Sequence, residues 1–250
     1  MPNFTKPFLV LQLRPETEAS DSEFTAILRQ GHLKPDQVHR VRLDQNSDVS
    51  GLCLDDYSGI IVGGGPGCVS DPNDTKDPTE KAIEEAVFSL MPEITERDLP
   101  YLGCCYGIGI LGHFLGGIVN KENYSEPVGA VDCSLTPAGR TDPMLKGVAQ
   151  NFRAFVGHKE AVQALPPGCT HLVTSGPCPF QMIRYKQNVY ATQFHPEADP
   201  KEFELRIKIY RDKGYFPSED ADKLTKLVRT ENVTMPEKVL RNFVAEYASD

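Results

Sequence analysis

Pro100-Tyr101-Leu102-Gly103-Cys104-Cys105-Tyr106-Gly107 is a short apolar run that breaks into a Gly-x-Cys-x-Gly turn, and Tyr106 to Leu115 then has helical spacing closed by Gly116-Gly117. A strand that turns this sharply into a helix holds up the central side chain of the turn, the same physical device as the Gly-x-Ser-x-Gly elbow. Glycines flank the centre because side chains there would collide. A thiol at that point sits on a helix N-terminus, where the dipole favours the thiolate. The next backbone N–H, from Tyr106, is placed to donate to an oxyanion. Cys105 is therefore the candidate nucleophile, and Cys104 is expected to point back into the sheet or core. Taken alone, the segment also reads as a Gly-rich strand–helix junction holding two buried cysteines.

Upstream of the elbow, strand-like and helix-like segments alternate. Phe8 to Leu13 is an apolar run of strand length. Ser22 to Leu33 fits a helix with Phe24, Ile27 and Leu28 on one face, and Val38 to Leu43 alternates as a half-exposed strand. Tyr57 to Val62 is another apolar run. Asp77, Pro78 and Glu80 have the spacing of a helix start with a capping box, and Ile83, Val87, Leu90 and Met91 follow on one face. Leu99 to Gly103 is the strand entering the elbow. Strands separated by helices imply parallel βαβ units, so the fold class expected is α/β, a mostly parallel sheet with helices on both faces. Sites in such sheets form at the carboxyl ends of strands.

Downstream, Val128 to Leu135 and His171 to Ser175 read as strands, and Gln181 to Phe194 as a hairpin turning at Lys186-Gln187-Asn188. Residues 201–210 fit either a strand or a helix. Residues 214–233 are polar and read as a linker or surface excursion. Thr234, Pro236 and Glu237 form a helix-start signature before Val239, Leu240, Phe243, Val244 and Tyr247. The expected division is residues 1–200 as the α/β domain and 201–250 as a helical extension packed on it.

Two further segments carry chemistry. Tyr190-Ala191-Thr192-Gln193-Phe194-His195-Pro196-Glu197 is a strand that ends at a histidine, with a carboxylate two residues on. A thiol nucleophile needs a base, and the base needs a partner to fix its tautomer; His195 with Glu197 supplies both. Ile60-Ile61-Val62-Gly63-Gly64-Gly65-Pro66-Gly67 ends a strand in glycines, which let backbone N–H groups approach a ligand. It has neither dinucleotide-fingerprint nor phosphate-loop spacing. Each segment alone is compatible with a surface histidine or an ordinary tight turn; the three in this order are far more specific.

Composition narrows the classes. The 250-residue chain carries a net charge of −9, against a large nucleic-acid footprint. Its seven cysteines are odd in number and lack any CxxC pair, so neither a disulfide framework nor a zinc site is indicated. Cys53, Cys68, Cys133, Cys169 and Cys178 are expected to be small buried hydrophobes. No apolar run reaches the roughly 20 residues that cross a bilayer. The first residues read as a strand rather than a signal peptide. A cytoplasmic chain with no metal or organic cofactor, no nucleic acid and no membrane partner is the expectation.

With the three segments in view, the chain resembles the class I (triad) glutamine amidotransferase family, whose members carry a Gly-Gly-Pro-Gly turn, a Leu-Gly-x-Cys-x-Gly elbow and a Gln-Phe-His-Pro-Glu segment. Here these are Gly64 to Gly67, Leu102 to Gly107 and Gln193 to Glu197. Gly157-His158-Lys159-Glu160, with Val162 and Leu165-Pro166, resembles the family's His-x-(Asp/Glu) segment near the bound γ-glutamyl group. The resemblance covers roughly residues 7–200 and is strongest to the glutaminase half of GMP synthase and stand-alone proteins similar to it. It implies a flavodoxin-like fold and favours a helix over 201–210. It further implies that Cys105 attacks a γ-carboxamide, His195 moves the proton, and Glu197 orients His195. N–H groups near Gly64 or Gly65, with Tyr106, would form the oxyanion hole, and His158 would lie by the substrate.

One departure stands out. The family usually has Gln two residues after the elbow's second glycine, where this chain has Gly109. Three functions follow as alternatives. A glutaminase or amidotransferase would act on glutamine and, lacking an ATP-binding loop, would need a separate synthetase subunit. A stand-alone γ-glutamyl peptidase or hydrolase would use a pocket opened at Gly109. A non-catalytic regulatory homologue would keep the fold only, against which the intact Cys-His-Glu set speaks.

Overall fold

β1 (Phe8–Gln12) is buried along its whole length and shows why the sheet is covered on both sides. Phe8 and Val10 pack into one apolar cluster, Leu9 and Leu11 into another, because successive side chains of a strand point to opposite faces. β3 (Gly59–Val62) and β4 (Tyr101–Cys104) repeat the pattern, with Ile61 and Leu102 on one face and Ile60, Val62 and Tyr101 on the other. α2 (Pro78–Arg97) and α3 (Tyr106–Phe114) cover the second face with Ile83, Val87, Met91, Ile94, Ile108 and Leu111. α1 (Thr17–Gly31) and α6 (Glu237–Tyr247) cover the first, and Phe243 of α6 packs its ring 6.0 Å from that of Phe8. The computed structural model describes residues 5–248.

The remaining strands are β2 (Val38–Arg42), β5 (Val119–Asn120), β6 (Glu126–Leu135), β7 (Asn151–His158), β8 (Ala161–Val162), β9 (Cys169–Ser175), β10 (Met182–Tyr185) and β11 (Val189–Thr192). The main sheet has the order β2-β1-β3-β4-β11-β10-β9-β6-β7. Its first five strands pair in parallel, as a doubly wound α/β sheet does, and the rest extend it antiparallel from β11. β5 and β8 form a separate small ribbon. The hairpin of β10 and β11 turns at Lys186-Gln187-Asn188, as its sequence indicates.

Several boundaries differ from the sequence reading, each for a physical reason. α1 starts at Thr17, not Ser22, because its first turns bury Ser20 and Glu23 beside the small Ala19 and so escape a hydrophobic pattern. Ser20 Oγ donates to Gln12 Oε1 (3.0 Å), and Glu23 pairs with Arg14 (2.9 Å). Asp77 caps α2 by accepting from the Glu80 N–H, but Glu80 does not complete the box; its carboxylate accepts from the Cys68 N–H. β7 was not expected, since Arg153 and Gly157 interrupt its apolar pattern. Pro236, with no side-chain cap, holds the N-cap of α6, so the Thr234 start signature is not used. Cys53 is exposed and Cys169 half-buried, unlike the other five cysteines.

Residues 201–210 are helical, within α4 (Pro200–Ile209), which Asp199 caps by accepting from the N–H groups of Lys201 and Glu202. Residues 214–233 are not a plain linker. They contain α5 (Ala221–Thr230), whose Ala221, Leu224 and Val228 share one apolar stripe against Phe155, Phe203 and Ile207. The charged residues around that stripe masked it in the sequence.

Candidate active site

β3, β4 and β11 lie side by side, and their register aligns Val62 with Gly103 and Cys104 with Thr192. The Gly-rich turn, the elbow and the His-Pro-Glu segment therefore leave the same edge of the sheet next to one another, although the last is some ninety residues downstream of the elbow. Cys105 takes φ 52° and ψ −91°, a left-handed conformation that costs a side-chain-bearing residue about 1–3 kcal/mol. Its N–H donates 2.7 Å to the Thr192 carbonyl, which ties the elbow to β11. Cys104 turns into the core beneath, as expected, and burial holds its thiol far above the usual range. Burial also pushes the Cys105 thiol up to about 12, against the opposing pull of the Arg14 guanidinium.

His195 is 3% exposed and Glu197 1%, so both are sealed inside the protein. The His195 Nδ1–H donates 2.8 Å to Glu197 Oε1, which leaves Nε2 as the nitrogen able to accept a proton. Burial lowers the His195 pKa; the Glu197 carboxylate opposes this, while Arg206 and Arg14 reinforce it. Burial alone would raise the Glu197 pKa, but the charges of His195 and Arg206 outweigh it and hold the carboxyl well below its ordinary range. Arg206 Nη2 donates to the same Oε1 at 2.8 Å, and its guanidinium stacks on Phe203. Phe203 in turn meets the His195 ring in a T-shaped contact at 5.5 Å and stacks on Phe155 at 4.5 Å. Phe203 and Arg206, one turn apart on α4, thus buttress the histidine–glutamate pair; neither was singled out in the sequence, where an i, i+3 pair of Phe and Arg just after the motif was the available signal.

Gly64 sits where nothing larger fits: a Cβ there would lie 2.7 Å from Arg14 Nη2 and 2.8 Å from His195 Cε1. Its N–H donates 3.2 Å to Glu23 Oε1, so it is already engaged. Gly65 and Tyr106 line the cleft beside Cys105. The phenol of Tyr106 points away, donating 2.7 Å to Glu84.

Gly109 lines the cleft as expected, but its missing side chain opens no space. The Glu160 carboxylate fills it, with Oε1 only 2.9 Å from where a Cβ at position 109 would be. Glu160 is fixed by the N–H groups of Val69 and Ser70 (both 2.9 Å) and by Ser70 Oγ (2.6 Å). His158 also lines the cleft, anchored from behind: its Nδ1–H donates to the Glu160 carbonyl at 2.8 Å, and Nε2 lies 2.7 Å from the buried Glu126 carboxylate. Cys178 lies close enough to make Glu126, His158 and Cys178 a possible ligand set, but both His158 nitrogens are spoken for, and Cys178 is linked to the pair only through its backbone N–H on Ser175 Oγ, which donates to Glu126.

Cys105 stands between two lobes of this cleft. The first is polar, with Glu160, Lys159, His158 and Gln193, whose Nε2 lies 4.0 Å from Cys105 Sγ. The second is largely apolar, with Val128, Phe203, Ile207 and Phe216, and also holds His195, Arg14 and Arg206. Tyr215 roofs both lobes, and Lys159 Nζ sits 4.2 Å over its ring.

Cys105, His195 and Glu197 are thus brought together at the carboxyl edge of an α/β sheet. The family description "Glutamine amidotransferase class-I" matches residues 18–209, and the chain belongs to that family. It is 31% identical over 170 residues to a GMP synthase (glutamine-hydrolyzing) of Limosilactobacillus reuteri, covering 68% of this chain and 29% of that protein. A protein of the same name in Lactococcus lactis subsp. lactis is 34% identical over 141 residues, 56% of this chain and 24% of that one. The chain thus spans under a third of the length of the curated relatives it matches. Among solved structures, a glutamine amidotransferase from Thermotoga maritima superposes with a TM-score of 0.75 at 21% identity, covering 97% of this chain and 99% of that one. A glutamine amido transferase from Methylobacillus flagellatus gives 0.67 at 20% identity, covering 98% and 96%. These likenesses establish the shared flavodoxin-like fold. Among the described residues, no helix is long and apolar enough to cross a membrane.

Proposed function

We propose that the chain hydrolyses a γ-glutamyl amide through a cysteine thioester, with Cys105 as nucleophile, His195 as proton carrier and Glu197 as its orienting carboxylate. The observation that carries the reading is the adjacency of the strained Cys105 elbow and the buried His195–Glu197 pair on neighbouring strands. In the resting site the thiol is protonated and the imidazole neutral, as the opposite shifts of the two groups favour. On attack, the Sγ–C bond forms while the proton passes to His195 Nε2; Glu197 and Arg206 stabilise the imidazolium. Collapse breaks the C–N bond as His195 protonates the leaving nitrogen, and the oxyanion accepts from the N–H groups of Gly65 and Tyr106. Water, deprotonated by the same histidine, then releases glutamate and restores the thiol. The polar lobe suits the glutamyl end of the substrate, since Lys159 and Glu160 offer one charge of each sign to its α-carboxylate and α-ammonium groups.

Ammonia release from glutamine by the full chain, with Cys105→Ala as control, tests this reading. Release that vanishes in the variant supports it; release that survives refutes the assignment of Cys105. The names of the GMP synthase relatives suggest glutamine as substrate and a separate synthetase subunit as recipient of the ammonia. A stand-alone γ-glutamyl hydrolase is the second reading, favoured by the Glu160 carboxylate standing in the space of the family's usual glutamine.

A further inference from the structure

The apolar lobe has no task in the hydrolysis of glutamine, whose leaving group is ammonia. Its position assigns it one. His195 lines this lobe and not the polar one, and the leaving nitrogen must lie next to His195 to receive its proton. Any substituent on that nitrogen therefore extends into the space walled by Val128, Phe203, Ile207 and Phe216. Those walls suit an aliphatic or aromatic side chain.

A second, independent feature fixes the polarity of the substituent. The side chain of Arg206 lines the lobe and is 8% exposed, yet its Nε–H and Nη1–H have no hydrogen-bond partner among the described residues; only Nη2 is used, on Glu197. Leaving two guanidinium donors buried and unpaired is expensive, and an anionic oxygen that reaches either of them offsets that cost. Arg14, the other cation of the lobe, pairs with Glu23 through Nε and donates to Tyr210 through Nη1, whereas Arg206 uses one of its three nitrogens.

We propose that the lobe is a leaving-group subsite for an apolar α-amino acid, so that the substrate is a γ-glutamyl peptide with a free carboxylate held by Arg206. This rests on the hydrolase reading above and names its substrate class. The balance is simple: the thiol displaces the amino acid at the γ-carbonyl, His195 moves the thiol proton onto its nitrogen, and water cleaves the thioester to give glutamate and a free apolar amino acid.

The test separates binding from turnover. Calorimetry on the full-length Cys105→Ala chain compares γ-glutamyl-leucine, its C-terminal amide γ-glutamyl-leucinamide, and glutamine. The acid should bind on the order of tenfold to a hundredfold more tightly than its amide, the range set by a charge-assisted hydrogen-bond pair. Adding Arg206→Lys, which keeps the charge but loses the spare Nε and Nη1 donors, should shrink that ratio at least severalfold. Phe216→Asp, in the roof, should weaken the dipeptide more than glutamine. Equal binding of acid and amide, or glutamine bound as tightly as the dipeptide, overturns the subsite. In wild-type chain, γ-glutamyl-leucine should be cleaved faster than glutamine at equal low concentration. Selective binding without any Cys105-dependent cleavage would leave the subsite standing and sink the hydrolase reading alone.

Discussion

Replacing Gly109 by Gln, the residue the family usually carries there, should damage this chain rather than improve it. The obstacle is local. A Cβ at position 109 would press to 2.9 Å from Glu160 Oε1, closer than real Cβ contacts run, and Glu160 is held by three donors on Val69 and Ser70. Relief requires the carboxylate to swing off at least one of them. A hydrogen bond to a charged group is worth about 1.5–3 kcal/mol, so a loss of about 2–3 kcal/mol is expected. For a chain of this size that is a fall in Tm of roughly 4–12 °C. Removing the obstacle should rescue the substitution: Gly109→Gln combined with Glu160→Ala should be more stable than the sum of the single effects by at least about 1 kcal/mol, a coupling typical of residues in contact. Thermal and urea unfolding of the four chains measures this, and glutamine hydrolysis by the double variant reports whether the glutamine side chain can then serve the pocket. A Gly109→Gln chain with wild-type Tm, or strictly additive effects, would refute the claim that Glu160 occupies this space.

Cys105→Ala should abolish turnover and leave the unfolding transition in place, whereas Cys104→Ala should retain activity and lose about 1 kcal/mol for the small core void; equal inactivation of both would overturn the assignment of the nucleophile. Because His195 must be neutral to accept a proton and its pKa lies below 6.5, the acid limb of kcat/KM should have its midpoint below that value, and Glu197→Gln, by removing the charge that opposes the shift, should move it further toward acid while lowering the plateau; an alkaline move contradicts the geometry. Stability should fall on acidification for the same pair: His195 is depressed in the folded state, so its contribution is complete above about 6.5 and lost below, and Glu197 adds a second loss below about 4.5, where the unfolded chain takes up its proton. Urea titrations at stepped pH should show Glu197→Gln flattening the lower window. Phe243→Ala in α6 should cost about 3–5 kcal/mol, since that ring is wholly buried against Phe8 of the central sheet, and a loss under about 1 kcal/mol would mean the last helix is only loosely docked.

What the sequence disclosed and what it hid divide along a physical line. Cys105, His195 and Glu197 were legible because each sits in a contiguous segment whose backbone demands a particular residue pattern: a glycine-flanked elbow, or a strand that ends in His-Pro-Glu. The second ring around them was hidden, because its members come from elements that are distant in the chain and carry no backbone demand of their own. Arg206 and Phe203 lie on a helix whose alternating apolar residues fit a strand equally well, and nothing local says that one face of that helix rests on the His195–Glu197 pair. Tyr215 and Phe216 lie in a stretch polar enough to pass for a linker, yet they roof the cleft. Glu160 was visible as a motif residue and Gly109 as a departure; that the one compensates for the other could be seen only when a carboxylate oxygen proved to stand where the missing side chain would begin. The parts proposed to do chemistry are thus written in short-range constraints, and the parts proposed to select a substrate are written in long-range packing. A substrate assignment for this family drawn from motifs alone reads the first set and is silent on the second, which is why Arg206 and the roof of the apolar lobe, rather than the triad, are the residues to vary when asking what leaves with the γ-glutamyl bond.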